Sequence, residues 1–201
     1  MSVEQAVALY AAGWFPMDDA SPAGELPWYA TDQRALLPLD AAGRAGVARR
    51  VRRDLRACAG FEVRLDSAYE RVLELCAVPP DPADGVWISE RLKDLYRGLH
   101  AAGWSHSFEL WTPEGELASG ILGVIIGRAA ILESMRKVLP GAGNALLSRT
   151  LDLLAARGMV LCDIQLATDH TRRLGAELVE REAFDAALAA AVRGDGRGRL
   201  A

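Results

Sequence analysis

The run Gly120-Ile-Leu-Gly-Val-Ile-Ile-Gly127 limits most strongly what this chain can become. It carries no charge and ends at Arg128. A helix spanning a membrane needs about 20 apolar residues, so this run cannot cross one. Its β-branched content reads instead as a strand, Leu117–Ile126. Two further strand patterns flank it, Ser107–Trp111 and Arg128–Met135, with Pro113-Glu114-Gly115 and Gly127 as punctuation. Three consecutive strands joined by short turns form a meander.

Other elements line up around that meander. Ser2 and Gln5 have the spacing of a capping box ahead of Ala6, Val7, Leu9 and Tyr10. Residues 14–43 hold four of the nine prolines and no long periodicity. Residues 45–57 read as one helix. Phe61, Val63 and Leu65 alternate as a strand, and Asp66 is placed to cap a helix carrying Tyr69, Val72, Leu73 and Cys76 on one face. Pro79, Pro80 and Pro82 form a loop. Ser89 opens a helix with Leu92, Leu95, Tyr96 and Leu99 at helical spacing. Past the meander come a helix near 144–157, a strand Met159–Gln165, a helix near Thr168–Leu174, a strand near Glu177–Val179 and a helix over Arg181–Val192. The order predicts an α+β fold with a mixed central sheet flanked by helices, the order of acetyltransferase-like (GNAT-like) domains. The expected division is a small N-terminal lobe at 1–60, a catalytic domain at 61–193 and a flexible tail at 194–201.

Charge is unevenly distributed. The chain carries −4 overall, which argues against a generic nucleic-acid binder. Between Arg44 and Arg56, however, six Arg face one acid, Asp54, a local charge of +5 that leaves −9 for the rest. Arginine without lysine suits phosphate, because the guanidinium fork donates two parallel hydrogen bonds. Val47, Val51, Leu55 and Cys58 supply that segment's apolar stripe. Three scattered cysteines, Cys58, Cys76 and Cys162, fit a reduced cytoplasmic protein better than a disulfide framework, and the three His complete no zinc-ligand spacing.

Few residues offer chemistry. Asp163 and Gln165 end an apolar strand and share a face at period two. Glu133 ends the third meander strand and joins them if those strand ends lie together, where neighbouring carboxylates shift one another's pKa. Pro140-Gly-Ala-Gly-Asn144 precedes a helix and is a weak phosphate-binding pattern. Trp87 stands before a helix at a candidate pocket rim, and His106 opens the first meander strand. A Ser-His or Cys-His pair is not evident.

Taken in order, these segments resemble the bacterial leucyl/phenylalanyl-tRNA–protein transferases: ALYAAGWFP (8–16), PWYATDQRALL (27–37), RVRRDLR (50–56), FEVRLDSAYERVLELCA (61–77), VWISERLKDLYRGLHAAGWSHSFELW (86–111), GILGVIIGRAAILESM (120–135), LCDIQ (161–165) and DHTRRLGAE (169–177). The resemblance implies transfer of Leu, Phe or Met from aminoacyl-tRNA to proteins beginning with Arg or Lys, a mark for degradation. It implies no cofactor and no metal, and a cytoplasmic monomer is expected. It assigns Gln165 to the attacking amine, Asp163 to polarising Gln165, and Glu133 to the cationic acceptor end. Trp87 would line the aminoacyl-adenosine site, with Trp28, Met17, Ser134, Met135 and His106 as further substrate contacts. Arg49, Arg50, Arg52, Arg53 and Arg56 would meet tRNA phosphates. The chain reads as a diverged, N-terminally short member: Met17 replaces the usual Trp, Ala130-Ile131-Leu132 an aromatic pair and Gly, and Arg136-Lys137-Val138 a Phe-Ser-Arg. Two other readings remain open, an acetyl-CoA-dependent N-acetyltransferase favoured by the PGAGN turn, and a non-catalytic tRNA-binding relative.

Overall fold

A computed structural model describes residues 1–18, 24–79 and 87–193; the expected tail at 194–201 and the prolines at 80 and 82 lie outside the described residues. The chain runs α1 (Val3–Ala11), β1 (Phe15–Pro16), β2 (Trp28–Tyr29), β3 (Gln33–Leu36), α2 (Ala41–Arg50), α3 (Arg52–Ala57), β4 (Glu62–Leu65), α4 (Tyr69–Ala77), α5 (Glu90–Ala101), β5 (Ser105–Trp111), β6 (Leu117–Ile126), β7 (Ala129–Lys137), α6 (Ala142–Ala156), β8 (Leu161–Asp163), α7 (Asp169–Leu174), β9 (Glu177–Glu180) and α8 (Arg181–Val192). Seven strands form one sheet in the order β4-β5-β6-β7-β8-β3-β9, and β1 pairs with β2 in a separate ribbon. Every contact in the large sheet is antiparallel except β7–β8. The mixed α+β sheet is thus present.

The central strand β6 is buried along its whole length, and its alternation serves two cores. Ile121 and Ile125 pack with Val47, Val51 and the α6 leucines. Leu122, Val124 and Ile126 pack with Ala6, Tyr10, Val72 and Leu99. One layer therefore holds α2, α3, α6 and α7, and the other α1, α4 and α5. Phe184 and Leu188 of α8 pack with Ala129 and Leu161 and close the second layer's end. At about 25 cal/mol per Å² of apolar surface removed from water, two such cores supply the main drive to fold.

Segment 1–60 is woven into this architecture. Its strand β3 lies between β8 and β9, and its helices α2 and α3 pack on α6. The Ser2–Gln5 capping box closes as expected, with Ser2 N donating to Gln5 Oε1 at 2.8 Å. The basic segment is two helices instead of one. Val51, 3% exposed, leaves helical backbone at φ −102°, ψ 18° to keep its side chain in the core. Asp66 is no cap either. It sits at φ +54° and accepts from Ser107 N at 2.8 Å. The Glu109 carboxylate takes the backbone N–H of Ala68 at the head of α4, at 2.8 Å.

Candidate active site at the open end of the β7–β8 pair

β7 carries a bulge. Its register with β6 steps from Gly123↔Leu132 to Leu122↔Ser134, so Glu133 has no partner across the ladder. A bulge re-aims the extra residue and increases the local twist. β8 pairs with β7 only over Ala129–Ile131, ending with Asp163 level with Ile131. Glu133 and Asp163 consequently face one another near the point where the two strands part, close enough for the Asp163 charge to act on Glu133.

Asp163 is fully buried, and β3 supplies its counter-ion. Arg34, 1% exposed, donates Nε to Asp163 Oδ1 at 3.2 Å and Nη2 to Oδ2, while Nη1 reaches Gly13 O at 2.8 Å. Its guanidinium lies between the rings of Phe15 and Phe184, 4.8 and 4.5 Å from their centroids. Burial pushes the Asp163 carboxyl upward, and the paired Arg34 cation and the Gln165 N–H oppose that shift. Sequence reasoning passed over Arg34. The available signal was that it is the sole basic residue among the first 43, in the segment PWYATDQRALL.

Gln165 differs from expectation in how it is held. The strand stops at Asp163, and Gln165 adopts φ +56°, a left-handed backbone uncommon for a residue with a side chain. Its N–H donates to Asp163 Oδ1 at 2.8 Å, and its carbonyl accepts from Ala35 N at 3.1 Å. Asp163 thus grips the Gln165 backbone. With the amide oriented to satisfy the surrounding hydrogen-bond network, Nε2 lies 2.9 Å from Ile164 O and 3.2 Å from Leu132 O. That orientation occupies the donor end and leaves the amide oxygen to accept from a substrate.

Glu133 completes the cluster with two tyrosines. Burial, and then the Asp163 charge, raise its carboxyl to about 8, against the pull of the Tyr10 and Tyr96 hydroxyls and of Arg34. Burial likewise raises both phenols, with the Glu133 charge adding to it. Tyr10 Oη, Tyr96 Oη, Glu133 Oε1 and Trp28 Nε1 are enclosed without a well-formed hydrogen bond. Buried polar atoms are usually satisfied, so such a concentration at one place singles this cluster out as a candidate polar site. Tyr10 and Tyr96 were legible only as members of apolar helical stripes.

The remaining expected residues divide. Trp28 meets the cluster edge-on against Tyr10, with centroids 5.1 Å apart. Met17 is exposed at the end of the β1–β2 ribbon, and the Trp87 carbonyl, near it, accepts from Asp18 N at 3.1 Å. Ser134 interacts with the Cys76 thiol. Met135 turns toward Gly143 on the α6 side, where a Cβ on that glycine would lie 3.6 Å from its sulfur. His106 stands apart on β5, its Nδ1 2.7 Å from Asp66 Oδ2. Arg49, Arg50, Arg52, Arg53 and Arg56 are exposed on the α2–α3 layer, across the sheet from the carboxylates. None has an ion pair among the described residues.

The PGAGN turn is occupied from within. Asp54 of α3 accepts from Asn144 Nδ2 at 2.6 Å, and its Oδ1 would lie 2.8 Å from a Cβ on Gly141. A carboxylate at this helix N-terminus takes the place a phosphate would need. That removes the feature favouring an acetyl-CoA enzyme.

Residues 39–189 match the sequence profile described as Leucyl/phenylalanyl-tRNA protein transferase. The chain belongs to this family. A leucyl/phenylalanyl-tRNA–protein transferase of Synechococcus sp. (strain JA-3-3Ab) is 43% identical over 85% of this chain and 84% of its own length. One of Rubrobacter xylanophilus is 37% identical over 97% of each. Among solved structures, one titled "Crystal structure of FemX" aligns with a TM-score of 0.59, at 12% identity, over 88% of this chain and 66% of that one, a likeness of fold. The mixed sheet is the frame that brings Glu133, Asp163 and Gln165 together here.

Proposed function

We propose that this protein transfers Leu, Phe or Met from aminoacyl-tRNA to the α-amine of proteins beginning with Arg or Lys, a modification that marks them for degradation. Family membership supports the donor and the reaction. The observation that carries the site is the convergence of Glu133, the Arg34–Asp163 pair and Gln165 where β7 and β8 part.

An aminoacyl ester is already activated, so no covalent nucleophile is needed. The site must hold a neutral amine against the ester carbonyl in attacking geometry and stabilise the tetrahedral oxyanion. A C–N bond forms, the ester C–O bond breaks, and the ribose hydroxyl leaves with the proton the amine gives up. Gln165 Oε1 accepts from the amine and orients its lone pair. An amide is a poor base, so this role is positioning. Asp163, fixed by Arg34, holds the Gln165 backbone in its left-handed turn and acts through it. Ionised Glu133 pairs with the cationic side chain of the acceptor's first residue. Tyr10 and Tyr96 supply hydroxyls to the same pocket. Trp87, Trp28 and Met17 line the aminoacyl-adenosine side, and the arginines from 49 to 56 meet tRNA phosphates. Among the described residues no helix is long and apolar enough to cross a membrane. The three cysteines are free and buried, in keeping with a reducing cytoplasm.

The test offers labelled Leu-, Phe- and Met-tRNA, and separately labelled acetyl-CoA, with peptides beginning in Arg, Lys, Asp or Met. RNase-sensitive labelling confined to Arg and Lys peptides is expected. Labelling from acetyl-CoA alone would overturn the reading, and tRNA binding without product would make the protein a non-catalytic relative.

A further inference from the structure

The second half of β7 has a strand on one side only. β8 ends at Asp163, level with Ile131, while β6 continues beside β7 as far as Lys137. The ladder fixes which way each backbone group points. Val138 N donates to Ala118 O at 2.8 Å, so Gly120 and Leu122, of the same parity on β6, turn toward β7 and meet Arg136 and Ser134. Ile125 N donates to Trp104 O at 2.8 Å, and odd positions on β6 therefore turn toward β5. Met135 and Lys137 must then direct their N–H and C=O away from β6, to the side where β8 has stopped. These groups hydrogen-bond to nothing among the described residues. Unpaired strand groups of this kind are a template for an added strand.

We infer that the acceptor polypeptide binds as this strand, parallel to β7, starting at Gln165 and running past Lys137. The inference rests on the aminoacyl-transfer reading and adds how the acceptor beyond its first residue is held. Direction supports it. β8 runs parallel to β7 and ends two residues before Gln165, so a chain whose amine sits at Gln165 continues β8's course. Length supports it too. Glu133 to Lys137 is about 13 Å of strand, which places acceptor positions 1 to 5 along the edge. Charge supplies a third argument. The acidic end of the track, Glu133, meets the acceptor's cationic start. The other end carries exposed Lys137 and half-buried Arg136, whose Nε is enclosed without a partner. Acidic side chains at acceptor positions 4 and 5 are therefore favoured over basic ones.

The experiment uses the wild-type protein, labelled Leu-tRNA and synthetic Arg-peptides of two to six residues. Single backbone N-methyl groups are placed at positions 2 to 5, and either Asp or Lys at position 4. Transfer efficiency should rise at least fivefold from two to five residues. N-methylation should cost about fivefold or more at alternate positions and little at those between. Asp should outperform Lys at position 4, and Lys137→Glu should reverse that order. Flat responses to length and methylation, with Arg-dependent labelling intact, would overturn the strand while leaving aminoacyl transfer standing. Flat peptide responses joined to weakened tRNA binding by Lys137→Glu would assign the edge to nucleic acid and overturn it equally. Labelling of no peptide at all would overturn the transfer reading and this inference with it.

Discussion

Arg34 and Asp163, 129 positions apart, form a paired contact with side chains 1% and 0% exposed. One carboxylate, so held, fixes β3 against β8 and positions the Gln165 turn. Removing one partner of a buried ion pair leaves an uncompensated charge, at a cost of about 3–5 kcal/mol. Arg34→Met should therefore lower the thermal midpoint by about 10 °C in a chain of this size. The double variant Arg34→Met, Asp163→Leu should recover most of that loss while remaining inactive. An unchanged midpoint in the single variant would show that the pair does not hold the site.

Glu133 gives the site a pH dependence. Its folded carboxyl lies at about 8, above the ordinary 4.5, so the fold favours the protonated form. Its stability contribution is present at low pH and is lost as pH rises from the ordinary carboxyl range through about 8. Glu133→Gln should become progressively more stable relative to wild type across that window, measured by denaturant unfolding at several pH values. Activity should move in the opposite direction. Ionised Glu133 attracts the acceptor, and the acceptor α-amine also deprotonates near about 8. Log kcat/KM for an Arg-peptide should rise with a slope approaching about two in wild type and about one in Glu133→Gln. Equal slopes would remove Glu133 from acceptor binding.

Tyr10 and Tyr96 separate function from stability. Their hydroxyls face Glu133 without a well-formed hydrogen bond, so Phe at either position should change unfolding free energy by less than about 1 kcal/mol. Transfer should nonetheless fall by about tenfold or more. A loss of stability with unchanged turnover would make them core residues alone.

The exposed arginines are tested by salt. Each phosphate contact removed should reduce the slope of log affinity against log salt by about 0.7–0.9. Replacing Arg49, Arg50, Arg52, Arg53 and Arg56 by Ser should flatten the dependence for tRNA with little effect on the midpoint, as none is buried. An unchanged slope would send the tRNA elsewhere.

How much was legible in the sequence depended on range. The meander and the helix at Ala142 follow from local periodicity, while Glu133, Asp163 and Gln165 stand out by their places at strand ends and are joined as a site by the family resemblance. Arg34 does not, because its meaning comes from a four-residue strand inserted between β8 and β9, far away in sequence. Tyr10 and Tyr96 occupy apolar stripes, and a tyrosine there reads as core until the group facing its hydroxyl is known. Asp163 and Gln165 lie near one another as expected. The left-handed turn that changes how they are joined is a tertiary effect, imposed by Ala35 and Asp163. Val51 breaks the basic helix for the same kind of reason, since burial outweighs local propensity there.

The most direct test of the transfer site is Gln165→Ala, with the rate of labelled Leu transfer from tRNA to an Arg-peptide and the tRNA Kd measured on one preparation. The account predicts a rate at least tenfold lower with Kd within about twofold of wild type. A rate within about twofold of wild type, less than about 0.5 kcal/mol of barrier, would contradict it.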